Sequence, residues 1–246
     1  MIAFILAHIE SLPNSTADPF ARSPASMYNR RMTDYASSPR WGAQSLDDFL
    51  AAVAADSPAP GGGSVAALAG ALGAALSAMV AHLTLGRERY VAHDAEMRAA
   101  LPQAEALRQT LTGLMDADTA AYSAVMAAYK LPRETDAQRT ERTAALQAAL
   151  RSATDAPLAT AAACVDVLAL AGQAAARGNR NAAGDAAAAA LLAHAGLQIA
   201  VRNVESNLRS IRDADFVAEA RQRAAALLAA GEQALAAALR AADAGV

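Results

Sequence analysis

Three groups of residues in this 246-residue chain have types and spacings that could do chemistry. The first is Pro58-Ala59-Pro60-Gly61-Gly62-Gly63-Ser64, directly before an apolar helical stretch. Glycines there permit close approach to the backbone, and the free N–H groups of a helix start suit a carboxylate or phosphate. The Lys-Ser/Thr pair of a nucleotide-binding loop is missing, and a tight turn with Ser64 as helix cap fits the same residues. The second group is the acids. Asp116 and Asp118 lie two apart, about 200° around a helix, so they are not expected to serve one site. Asp118 shares a face with Tyr122 and Tyr129. An acid on such a half-apolar face can carry a raised pKa and act as general acid/base, while a solvated or ion-paired acid is the alternative. Asp185, between Ala183-Gly184 and five alanines, reads first as a helix N-cap. The third group is Lys130 alone. It is the one lysine beside 20 arginines, which suggests a need for a compact, tunable ammonium, although a helix C-terminus also favours a cation.

Other chemistries find little support. The four histidines show no metal-ligand spacing, and neither a serine nucleophile elbow nor a dinucleotide fingerprint occurs, so no metal or cofactor is expected. Cys164 is the one cysteine and lies in an Ala/Val/Leu run, which reads as a buried, inert thiol. A net charge of −3 offers no footprint for nucleic acid.

The elements that must position these residues are helices. The chain is 54% hydrophobic and only 4% aromatic, and about three residues in ten are Ala. That favours helix over a β sandwich or barrel. Ser45 is placed to cap a helix reaching about Asp56. A long apolar helix follows from Ser64 to near Gly86, then a stretch from Arg89 to Lys130 that Pro102 could kink or restart. Further helices are expected at 136–155, 157–177, 185–209 and 213–243, with a break at Pro157 and a glycine C-cap at Gly178. The reading is an all-α single-domain bundle over 41–246, with a poorly structured extension at 1–40. The run Gly61–Gly86 has no Asp, Glu or Lys and no Arg, and is long enough to span a bilayer. Its Ala/Gly content and His82 point instead to a central helix buried on all sides. Its small-residue stripe of Ala66, Gly70, Gly73, Ala74, Ser77 and Ala81 would admit a close helix, and dimerisation through that stripe is expected.

Pro58–Leu68, Leu83-Thr84-Leu85-Gly86-Arg87, Met115–Asp118, Tyr129–Pro132, Gly178–Asn181 and Asn207-Leu208-Arg209 together resemble the cyclodeaminase/cyclohydrolase family of folate enzymes. The resemblance runs in order from about 45 to 240. It implies an all-helical homodimer binding folate near the subunit interface, with Asp118 as the catalytic acid. Substrate-binding roles are implied for Gly61, Gly62, Gly63, Ser64, Arg87, Tyr122, Lys130, Asn179, Asn181 and Asp185. In one departure, Gly184 stands where the family usually has Ser.

The expected activity is hydration of 5,10-methenyltetrahydrofolate to 10-formyltetrahydrofolate in the cytoplasm. The alternative is cyclodeaminase action on 5-formiminotetrahydrofolate with release of ammonia, which would draw on a separate formiminotransferase because no transferase motif is present. An inactive folate-binding protein is a third reading, and a membrane protein is the least favoured.

Overall fold

A computed structural model of the chain describes residues 40–245, so the expected extension 1–40 lies outside the described residues except for Arg40. Six α-helices carry the fold: α1 (Leu46–Ala54), α2 (Gly62–Thr84), α3 (Asp94–Tyr129), α4 (Asp136–Arg177), α5 (Ala183–Leu208) and α6 (Ala214–Gly245). Short 3-10 turns occur at Trp41–Ala43, Glu88–His93 and Arg180–Ala182, and no strand is found among the described residues.

Local chemistry accounts for most boundaries. Ser45 caps α1, its Oγ accepting from the Asp48 N–H at 3.1 Å, with Asp47 and Asp48 in the first turn. Thr135 and Gln138 form a reciprocal capping box at the start of α4. Three sequence expectations need correction. The cap of α2 is Gly61, so Ser64 lies inside the helix and its hydroxyl is free to bond elsewhere. Asp185 is not a cap either, since Ala182 holds that position and Asp185 sits in the first turn. Gly178 does cap the C-terminus of α4, as expected, in an extended conformation (φ −77°). A side chain there would meet the Ala174 carbonyl at 2.3 Å and Val80 at 2.6 Å, so close packing demands the glycine. Finally, α4 runs unbroken through Pro157, and α3 through Pro102.

Helix α2 is central, packed against α3, α4 and α5, while α6 covers α4 and α5. Its small-residue stripe is buried entirely within one chain. A Cβ on Gly73 would lie 2.8 Å from the Ala189 carbonyl, and one on Gly196 would lie 2.7 Å from the Ala66 carbonyl. These reciprocal contacts show α2 and α5 running antiparallel with backbones nearly touching. Thin helices thus make up for small side chains by close approach. Dimerisation through this stripe is therefore ruled out by its intrachain burial. Nor is α2 buried all round: Leu72, Met79 and Leu83 are exposed along its opposite face. By length and composition Gly62–Thr84, Asp136–Arg177 and Arg180–Leu208 could each cross a membrane, but in the fold much of each is buried against the others.

Candidate active site

The site lies at the N-terminal end of α2, where α3 crosses it. A Cβ on Gly63 would stand 2.0 Å from Oδ1 and 2.7 Å from Oδ2 of Asp118, so only glycine lets the carboxylate lie flat against the start of the helix. The free N–H groups and dipole of that start favour an anion, and here the anion is supplied by the chain itself. Burial pushes the Asp118 carboxyl above its ordinary value of 3.8, opposed by hydrogen bonds from the Ser64 hydroxyl and backbone.

Ser64 is fully buried, and its Oγ stands 3.0 Å from Asp118 Oδ2 and 3.1 Å from the Met115 carbonyl. It has one proton to place. With Asp118 ionised the hydroxyl donates to the carboxylate. With Asp118 protonated it can accept from the acid and turn its own proton to Met115. Both protonation states are accommodated without moving the backbone, as a general acid/base requires. Thr119 Oγ1 lies 3.5 Å from Ser64 Oγ and accepts from the Trp41 indole at 3.2 Å. Asp116 points elsewhere, as its spacing from Asp118 predicts, and accepts the Trp41 backbone N–H at 2.8 Å.

Asp118 opens into a narrow pocket lined by Pro58, Ala59, Gly63, Ala121, Tyr122, Ala153, Asn203 and Asn207. No cation is among these residues. Tyr122 is buried there, as its shared face with Asp118 predicts. Asn203 and Asn207 were not singled out as site residues from the sequence, although two amides one turn apart on an apolar helix were the available signal. Asn207 Nδ2 donates to the Ala153 carbonyl at 2.8 Å. That carbonyl is the one a residue at 157 would bond within the helix, and Pro157 has no N–H to give. Asn207 replaces the lost donor, which is why α4 continues where a break is expected.

The remaining expected binding residues lie elsewhere. Lys130 is exposed at the end of α3, twelve residues and about 18 Å along the helix from Asp118. Arg87, Asn179, Asn181 and Asp185 gather at the C-terminal end of α2, on the order of 30 Å from Gly63. There the Asn179 backbone N–H donates to Thr84 Oγ1 at 2.8 Å and its Nδ2 to the Leu83 carbonyl at 3.1 Å. A wider concavity lined by Arg89, Tyr90, His93, Arg177 and Arg180 opens at this same end. Cys164 is buried in the core, its thiol pushed up to about 12, consistent with an inert residue. Among the described residues no group of His, Cys, Asp and Glu could hold a metal ion.

The all-helical bundle has the architecture of a solved cyclodeaminase. The crystal structure of formiminotetrahydrofolate cyclodeaminase from Thermotoga maritima matches it with a TM-score of 0.75 at 30% identity, covering 82% of this chain and 98% of that one. The chain belongs to the formiminotransferase-cyclodeaminase family, whose model matches residues 45–226. It is 43% identical to a methenyltetrahydrofolate cyclohydrolase from Methylorubrum extorquens, over 76% of this chain and 90% of that protein. It is also 40% identical to a formimidoyltransferase-cyclodeaminase from Rattus norvegicus, over 75% of this chain. The match spans only 34% of that longer protein.

Proposed function

We propose that this chain is a 5,10-methenyltetrahydrofolate cyclohydrolase with Asp118 as its general acid/base. The observation that carries the reading is a half-buried carboxylate, its pKa raised by desolvation, lining a pocket that has no cation. Such a site suits a substrate whose reacting carbon is itself cationic. Water adds to the methenyl carbon while Asp118 takes one of its protons. The resulting tetrahedral adduct then loses its bond to N5, Asp118 returns the proton to N5, and the hydroxyl proton leaves to solvent. The balance is one water consumed and one proton released, with the formyl group left on N10. Ser64 serves the acid in both states, and its backbone N–H stabilises the ionised form. The cyclohydrolase reading draws support from 43% identity over nearly the whole of that relative. The cyclodeaminase from Thermotoga maritima, matched over 98% of its length, supports the second reading: closure of 5-formiminotetrahydrofolate with loss of ammonia. Assay of both substrates in parallel, by appearance or loss of the methenyl chromophore, decides between them.

We also propose that the active form is a homodimer built on the outer face of α2. Val65, Leu68, Leu72, Leu76, Met79 and Leu83 recur there at helical spacing, half-buried or exposed, and Leu191 of α5 is 52% exposed. An apolar face of this length calls for a partner. Antiparallel pairing of two copies would bring the Arg87, Asn179, Asn181 and Asp185 group of one beside the Gly61, Gly62 and Asp118 group of the other. That arrangement gives the substrate's carboxylates Arg87, with Arg89, Arg177 and Arg180 at the same end, as the cations that the pocket itself lacks. Lys130 has no place beside Asp118 within one chain.

A further inference from the structure

Asn203 lines the Asp118 pocket, half-buried, and its side chain makes no hydrogen bond to any other described residue. Its acceptor and its two donors are therefore available to a ligand. Asn207, four residues on and so on the same helical face, is pinned through Nδ2 to the Ala153 carbonyl. The pocket thus offers two neutral amides, one free and one fixed, beside a single acid. Of the three parts of a folate, the glutamate needs cations and the aminobenzoyl ring needs only apolar contact. The pyrimidinone edge of the pterin, with a ring N–H, a carbonyl and an exocyclic amine, is the part that matches amides.

We propose that Asn203 is a specificity-determining residue that reads this pterin edge, accepting from the ring N–H and donating to the ring carbonyl. Asn207 Oδ1 receives the exocyclic amine. This inference rests on the folate reading above. In the full-length protein, Asn203→Leu raises KM for methenyltetrahydrofolate about ten- to hundredfold, because an amide-matched edge is left unpaired, while kcat stays within about threefold. An unchanged KM, or a fall in kcat alone, overturns the proposal. Where Asn203→Leu proves poorly folded, Asn203→Asp keeps the size, loses the amide donors and takes its place. Calorimetric titration with 6-methyltetrahydropterin and with p-aminobenzoylglutamate separates this inference from the functional reading. Wild-type protein that turns over neither folate defeats the functional reading alone. Pterin binding that Asn203→Leu abolishes upholds the inference, whereas equal binding to both proteins, or none to either, overturns it.

Discussion

The Asp118 carboxylate occupies the space that a side chain at Gly63 would need, with Oδ1 2.0 Å from where the Cβ would lie. Gly63→Ala must therefore displace the acid, and the short side chain can swing away without unfolding the helix. The variant is expected to keep its helical content and melting temperature while kcat/KM falls about a hundredfold, the usual cost of an ångström of misplacement. Circular dichroism and steady-state rates check the two halves separately.

Ser64 lowers the pKa that burial raises at Asp118. Removing its hydroxyl lets the pKa climb further. In Ser64→Ala the acid limb of the pH–rate profile should shift to higher pH, with activity at neutral pH reduced about tenfold. An unmoved limb would mean that the hydroxyl does not bond the carboxylate during turnover.

A raised carboxyl also has a stability consequence. The native state binds the proton more tightly than the unfolded chain does, so stability is fully present below the ordinary value of 3.8 and is lost as pH rises through the folded pKa. Asp118→Asn, which never ionises, is expected to melt higher than wild type at neutral pH. The gap should narrow near pH 3.8, and thermal melts at the two pH values measure it.

Pro157 and Asn207 should be coupled through the Ala153 carbonyl. Asn207→Leu leaves that buried carbonyl unpaired at about 1–3 kcal/mol, and Pro157→Ala restores a backbone donor to it. A double-mutant cycle in urea should show the loss largely rescued in the double variant.

The outer face of α2 gives a prediction about assembly. Leu72 is 47% exposed in one chain, and Leu72→Asp should convert a dimer to a folded monomer with little activity. Sedimentation velocity reads the mass. Equal masses for the variant and wild type would remove the proposed interface.

Much of the fold was legible because its signals are local. The cap at Ser45, the proline-glycine break before α2, and the Leu131-Pro132 stop after α3 each lie within a few residues of the boundary they set. Pro157 misled because its remedy, Asn207, lies fifty residues away and is visible only in space. The same holds at the site. The glycine-rich start and Asp118 each stood out alone, but their spacing could not show that the acid fills the anion site which the glycines prepare. The small-residue stripe identified a close helix contact correctly and assigned it to the wrong partner, because α5 and a second copy of α2 make the same demand on side-chain size.

The central claim is that Asp118 moves the proton in hydration of a methenyl folate. The most direct test follows the near-UV absorbance of 5,10-methenyltetrahydrofolate with wild-type protein and with folded Asp118→Asn. Decay of the chromophore well above the uncatalysed rate with wild type, and at the uncatalysed rate with the variant, is the predicted result. An Asp118→Asn protein that hydrolyses the substrate as fast as wild type would contradict it.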